Sequence, residues 1–373
     1  MRIDTRDPTT ILVVRAITAP YIYSTTITIA EDEDGNVARL NLSNLEDSPL
    51  DPIIPEGTVL AIKQPCWTRL LSGGYQIRVD HPSDVSLLNL NDILVPDSFR
   101  TSPHYSGGDE NSDWKREGDI MFLKKKFRRA LDCYSKGLDQ LIDNKLSSAT
   151  IDLYRKRCGV NIVLLRLDDA AQDLASAIAA YASSTPSLSN SALKSASSVN
   201  AWLHDHATDD PDRIANQIPR HLKELSARIK FDLGVYQSEP SYNLPLISSR
   251  VGPLTLHVDA ANYVSDTEVR STQAHGRGLF AKRAFKAGEL VCAEKAFVLP
   301  GYFIQDRSSD CLLYSLGDGT ASPRPGALLF KELVQKLRWN ASVRKEFFAL
   351  DDGGYWQRHG WKIDQGEDVP LDV

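Results

Sequence analysis

Cysteine pairs at metal-ligand spacing, long apolar runs and a leading hydrophobic segment are all missing from this sequence. The five cysteines, Cys66, Cys133, Cys158, Cys292 and Cys311, are odd in number, far apart and never in a C-x-x-C pair. That argues against a zinc cluster and a disulfide framework and suggests reduced thiols in an intracellular protein. No apolar stretch approaches the ~20 residues that a membrane span needs. The first residues, Met-Arg-Ile-Asp-Thr-Arg-Asp, lack the apolar core of a signal peptide. The expectation is therefore a protein of cytoplasm or nucleus with no membrane partner. An excess of basic residues is also missing: 43 Lys and Arg stand against 49 Asp and Glu, for a net charge of −6. Phosphate neutralisation needs a basic face, so this balance argues against nucleic acid as the main partner. A G-x-S-x-G elbow is absent as well, which leaves Ser/His/Asp catalysis without support.

What is present has ordinary globular composition, with 42% hydrophobic and 25% charged residues over 373 positions. That length suits two or three domains. Residues 1–100 read as β-rich. Ile11–Ala19, Tyr21–Ala30, Val37–Leu42, Gly57–Gln64 and Tyr75–Val79 are short β-branched and aromatic runs, with turns at Asp34-Gly35-Asn36 and Gly73-Gly74. This spacing predicts a small barrel or sandwich. The acidic run Glu31-Asp32-Glu33-Asp34-Gly35 lacks the ligand spacing and terminal Glu of a calcium loop and is read as a turn. A polar Gly/Ser linker follows at about 99–112.

From Asp113 the period becomes helical. Trp114, Gly118, Met121, Phe122, Phe127, Ala130, Tyr134 and Leu138 recur on one face, and small residues at 118 and 130 let two antiparallel helices approach closely. A second set runs through Leu153-Tyr154, Arg157-Cys158, Leu164, Asp168-Asp169-Ala170, Asp173 and Ala177-Ile178. Residues 183–199 read as a Ser/Ala-rich excursion and 201–232 as further helix with Pro punctuation. Residues 238–253, rich in Pro and Ser, read as a linker. The basic cluster Lys124-Lys125-Lys126 with Arg128-Arg129 suits an acidic peptide or nucleic acid, but a solvated helix face is the preferred reading. His204-Asp205-His206 with Asp209 and Asp210 has metal-ligand types. On one helix, however, positions i and i+2 do not share a face, so no metal site is assigned.

The helical positions at 113–180 resemble the 34-residue tetratricopeptide repeat. The resemblance implies a concave surface that holds a protein or peptide. Lys115 matches a carboxylate-clamp position of chaperone-binding modules of this kind, and Arg157 is the second candidate peptide contact. Asp119 and Lys156 stand where that clamp has asparagines, and Asp119 would repel a carboxylate.

The last third returns to strands, at Leu254–Val258 and Val269–Thr272. It then runs Ala274-His275-Gly276-Arg277-Gly278-Leu279-Phe280-Ala281, an apolar stretch, Gly288-Glu289, Leu290-Val291 and Glu294-Lys295-Ala296-Phe297. This block resembles the opening hairpin of SET domains, the protein-lysine methyltransferase fold. The resemblance implies S-adenosylmethionine as cofactor, a protein lysine as substrate, and Gly276, Arg277, Gly278 and Leu279 along the cofactor. Glycine lets backbone come against such a ligand. The family's later Asn-His-Ser-Cys-type segment and its closing tyrosine have no counterpart here, so no catalytic residue is assigned and this chain alone is expected to be inactive. Residues 325–350 read as a helical insert. Cys292 and Cys311 cannot supply four zinc ligands, so the zinc finger of SET-and-MYND relatives is not expected.

The fold class expected is multidomain α+β: a β barrel or sandwich at 1–100, tetratricopeptide-like helices at 113–235, and the N-terminal part of a SET domain with its insert at 254–373. The order resembles fungal tetratricopeptide–SET proteins. The alternative is a non-enzymatic peptide-binding adaptor.

Overall fold

The computed structural model describes residues 11–23, 25–45, 51–63, 65–70, 73–100, 113–141, 148–184, 219–234, 237, 239–251, 258, 260–273, 276–299, 313–314, 321–322 and 324–351. The chain is a mixed α/β protein with two compact units.

The first unit contains eight strands: β1 (Ile11–Ala16), β2 (Tyr21–Ile22), β3 (Thr26–Glu31), β4 (Val37–Leu42), β5 (Val59–Lys63), β6 (Cys66–Arg69), β7 (Tyr75–Val79) and β8 (Val85–Leu88). They form one mixed sheet in the order β6-β7-β4-β3-β1-β5-β8, with β2 attached to β3. The β4–β7 pair is parallel and the others are antiparallel. One sheet thus stands where a barrel or a two-sheet sandwich was expected, because no pairing joins the edge strands β6 and β8 among the described residues. The expected run Tyr21–Ala30 divides into β2 and β3. Strands β6 and β8 went unforeseen because edge strands expose alternate positions and carry little apolar pattern.

Side chains alternate across each strand, so one sheet face collects Val14, Ala16, Leu40, Leu42, Leu60, Ile62, Ile77 and Val79 into a buried core. In β5 both faces are buried. Val59 turns to the opposite side, where Val95 and Phe99 cover it; Phe99 lies on the short helix α1 (Asp97–Arg100). On that side Arg15 pairs with Glu31, its register partner, and stacks 4.8 Å over the Phe99 ring. The acidic run before β4 is a turn. The Asp32 carboxylate accepts the Asn36 N–H at 2.8 Å and the Asn36 side-chain amide at 3.0 Å, and these bonds hold it below the usual carboxylate range. The unit also includes β11 (Leu313–Tyr314), β12 (Ala321–Ser322) and the helices α8 (Arg324–Trp339) and α9 (Arg344–Phe348). Arg344 donates to the carbonyls of Leu337 and Arg338, which closes the end of α8.

The second unit is mainly helical. Helix α2 spans Trp114–Leu123 and α3 Phe127–Gln140, of which Ile120–Arg129 belong to the first unit. Helix α4 spans Ser148–Val163, α5 Leu167–Ser184, α6 Arg220–Asp232 and α7 Leu244–Arg250. Two of its glycines mark close approaches between helices. A Cβ on Gly118 would lie 2.4 Å from Tyr134 Cε1, and one on Gly137 would lie 3.3 Å from Leu153 Cδ1. Ala170, Ala171, Leu174 and Ala177 on α5 pack with Cys158 and Ile162 of α4 and with Leu222 and Ile229 of α6 in one core. The turns after α2 and α4 repeat one geometry. Lys125 (φ 59°) and Leu165 (φ 57°) are both left-handed. In each turn the next N–H reaches back to close the helix, Lys126 to Met121 O and Arg166 to Asn161 O, both at 2.9 Å. The expected linker at 238–253 contains a helix, α7, because the Asn243 side chain accepts the Leu246 N–H at 3.0 Å and Pro245 suits a first turn. Of the helix expected over 201–232, the part at 220–232 is seen, and the remainder lies outside the described residues, as does Leu254–His257. No helix among the described residues is long and apolar enough to cross a membrane.

Gly118→Ala forces a methyl group into the Tyr134 ring and is expected to destabilise the helical unit by about 2 kcal/mol, the usual size of an overpacking penalty. Chemical denaturation reads this directly, and an unchanged midpoint would refute the close approach. Lys125→Gly relieves a left-handed backbone at an exposed position and should stabilise by about 0.5–1 kcal/mol in the same measurement.

Candidate functional site

Three groups of side chains in the second unit carry the chemistry. The first is the hairpin of β9 (Thr267–Thr272) and β10 (Gly276–Ala281), antiparallel with Gly276 opposite Thr272 and Ala281 opposite Thr267. Gly276 has φ 67°, a left-handed conformation that favours glycine, and the Thr272 hydroxyl donates to its carbonyl at 2.8 Å. A Cβ on Gly276 would meet nothing within 4 Å, whereas one on Gly278 would lie 3.2 Å from the Phe280 ring. Gly276, Arg277 and Leu279 are exposed and Gly278 half-buried, so all four predicted residues lie together on one strand. That strand pairs only with β9 among the described residues. The hairpin thus has one open strand edge among the described residues. Val269 and Leu279 are 64% and 60% exposed, which leaves an apolar face uncovered.

The second group fastens the hairpin and was not foreseen. Buried Tyr263 donates its hydroxyl to Asp266 Oδ2 at 2.7 Å, and Arg283 Nε donates to the same oxygen at 2.6 Å. Arg283 Nη1 reaches Glu289 Oε2 at 3.0 Å, and that oxygen also accepts the Lys286 N–H at 2.9 Å. The Tyr263 hydroxyl and Arg283 hold the Asp266 carboxyl below the usual range; the Lys286 N–H and Arg283 do the same for Glu289. Lys295 donates to Asp232 at the end of α6 at 2.6 Å, and its N–H to Asn262 Oδ1 at 2.7 Å, which ties the segment after the hairpin to the helices. Glu289 belongs to the Gly-Glu step of that block, and its partners Arg283 and Lys286 lie in the same stretch, whereas Tyr263 and Asp266 precede β9, and no local sequence pattern joins the two segments.

The third group lines a cleft of about 250 Å³ between α3, α4 and α5, formed by Leu131, Ser135, Arg157, Asn161, Asp169, Gln172 and Asp173. Each helix contributes a pair spaced four apart, Leu131/Ser135, Arg157/Asn161 and Asp169/Asp173, since such positions share a face. Arg157 grips the Asp173 carboxylate with Nε at 3.0 Å and Nη2 at 2.6 Å and donates to Ser135 Oγ at 3.2 Å. Asn161 adds a bond to Asp173 Oδ2 at 3.0 Å. The Asp173 side chain is 4% exposed. Burial pushes its carboxyl up, and Arg157 and Asn161 work against that. The candidate peptide contact Arg157 is therefore occupied by its own chain. So is Lys115, which pairs with Asp152 at 2.5 Å. Lys156 and Tyr134 both bind Asp119, at 2.7 and 2.6 Å. Burial works to raise that carboxyl, but these two bonds outweigh it and hold it low. Lys115 and Arg157 are thus not brought together as free cations. No cluster of three metal-ligating side chains occurs among the described residues, and 204–210 lies outside them. Cys66, Cys133, Cys158 and Cys292 form no disulfide among the described residues; burial pushes the Cys158 thiol up to about 12.

No protein-family model matches the chain, and no solved structure matches it. It is similar to a protein of Gibberella zeae named "Methyltransferase", with 24% identity over 368 residues. The aligned region covers 95% of this chain and 49% of that protein, so the chain spans about half the length of the relative it matches.

Arg157→Ala strands a buried carboxylate and is expected to cost about 3 kcal/mol at neutral pH. Without the guanidinium, the folded-state pKa of Asp173 rises further above its unfolded value. The native state then holds the extra proton in that window, so the mutant gains stability as pH falls. Denaturation of both proteins at pH 7 and at pH 5 measures this, and a cost that grows toward pH 5 would contradict it.

Proposed function

We propose that this chain carries the N-terminal part of a SET-type, S-adenosylmethionine-dependent methyltransferase that acts on a protein lysine. Its central helices would be tetratricopeptide-like repeats that hold the protein partner. The observation that carries the reading is the Gly276–Ala281 strand, whose sequence resembles the opening SET strand and which lies in a hairpin with one side and one apolar face open. Similarity along nearly the whole chain to a fungal protein named a methyltransferase supports it. The setting would be cytoplasm or nucleus.

In this reading the backbone of Gly276–Leu279 lies along the cofactor, and Gly278 admits it because a side chain there would crowd Phe280. The bound cofactor supplies the methyl group. This chain's residues supply one wall and the helical surface, while catalysis rests on holding a neutral lysine amine in line with the methyl carbon. No residue of the chain is assigned to the chemical step. An adaptor that binds a peptide without catalysis is the second reading, favoured by the open cleft beside Arg157 and Asp173.

The test is methyl transfer from radiolabelled S-adenosylmethionine to protein lysine, on the longest form in which the protein is made. Activity is expected there and should fall roughly 100-fold in Gly278→Val, the scale of a ~1 Å displacement of bound reactants. If calorimetry on that form shows no cofactor binding, the enzyme reading fails and the adaptor reading takes its place.

A further inference from the structure

The sheet of the first unit carries four polar side chains that neither reading uses. Arg39 and Asn41 on β4, Gln76 on β7 and Thr68 on β6 share one face, opposite the core residues Leu40, Leu42, Ile77 and Val79. Register places three of them in a row. Arg39 lies opposite Gln76 in the parallel β4–β7 pair, and Gln76 lies opposite Thr68 in the antiparallel β6–β7 pair. Neighbouring strands are ~4.8 Å apart, so the row spans about 10 Å across the three strands.

Each of the four has a buried atom without a hydrogen-bond partner: Arg39 Nε, Asn41 Oδ1, Thr68 Oγ1 and Gln76 Oε1. Gln76 as a whole is 8% exposed. Among the described residues the Arg39 guanidinium has no ion pair. The other arginines of this face do: Arg78 pairs with Asp80 at 2.9 Å, and Arg15 with Glu31. Buried polar atoms in folded proteins are nearly always satisfied, and four orphans side by side on three adjacent strands call for a common partner. A half-buried guanidinium without a counter-ion is the most costly of them.

We propose that this face of β4, β7 and β6 is a carboxylate-binding site. The guanidinium fork of Arg39 suits a carboxylate in two parallel hydrogen bonds, and its single positive charge matches the single negative charge of that group. Thr68 adds a hydroxyl donor. Asn41 and Gln76 offer carbonyl oxygens, which suit an N–H beside the carboxylate, as at the end of a peptide. The site does not rest on the methyltransferase reading.

Thermal unfolding of the full chain tests it, in acetate, N-acetylglycine, phosphate and chloride at equal ionic strength and neutral pH. For a millimolar site, about 100 mM carboxylate should raise the midpoint by about 2 °C or more over chloride through mass action. Phosphate should do less. The rise should vanish in Arg39→Gln, return in part in Arg39→Lys, and shrink in Thr68→Val, which keeps the side-chain shape. If Arg39→Gln fails to fold, Thr68→Val carries the comparison. A larger response to N-acetylglycine than to acetate assigns the site to a peptide carboxylate, and equal responses assign it to a simple one. Equal midpoints in carboxylate and chloride would overturn the proposal. So would an unchanged carboxylate response in both Arg39→Gln and Thr68→Val, or a larger response to phosphate.

Discussion

A carboxylate taken out of water organises the helical unit. Asp173 sits on α5, almost fully buried, and survives there because Arg157 and Asn161, one turn apart on α4, deliver bonds to both of its oxygens. A buried charge in this position tolerates little sliding of α4 against α5, since a shift of one turn would leave both ions unpaired in a medium that solvates them poorly. The same arginine reaches Ser135 on α3 and so brings a third helix into one arrangement. The alanine-lined core of α5 adds the apolar attraction, and the ion pair sets the register in which it acts.

The hairpin at 267–281 lacks such support on its outer side. Tyr263, Asp266, Arg283 and Glu289 anchor its base, and Lys295 ties the following segment to α6, but Val269 and Leu279 face solvent. Two-stranded ribbons are marginal alone and gain stability from what covers them. The anchoring at the base and the uncovered apolar face are what the proposed reading needs from a wall that takes a ligand or further structure against it. The polar face of the first unit poses a related problem in different chemistry. There the groups in question are a guanidinium nitrogen, two amide oxygens and a hydroxyl, all buried, and what they lack is a hydrogen-bond partner, not apolar cover.

Much of the architecture was legible along the chain because it rests on local rules. Gly118 and Ala130 announced two antiparallel helices in close approach. Asp34-Gly35-Asn36 marked the turn between β3 and β4. The misses have physical causes. Strands β6 and β8 lie at sheet edges, where exposure weakens the alternating pattern. Helix α7 depends on a single asparagine cap inside a Pro- and Ser-rich stretch that otherwise reads as linker. The ion-pair partners of the candidate peptide contacts Lys115 and Arg157 were not legible, since Asp152 and Asp173 stand 37 and 16 positions away, on other helices.

By itself the sequence determined the local geometry of the glycine block at 276–281, the helical period at 114–178 and the scarcity of metal-ligand spacing. Backbone preference and side-chain periodicity act over a few residues, and both can be read without knowing what packs where. Only the tertiary structure decided which charges are spent within the chain and which remain available. It paired Arg157 with Asp173, Lys115 with Asp152 and Arg283 with Asp266, and it left Arg39 on the sheet face with no counter-ion among the described residues. Ion pairs between separate elements depend on distances of a few ångströms, which exist only once the chain has folded.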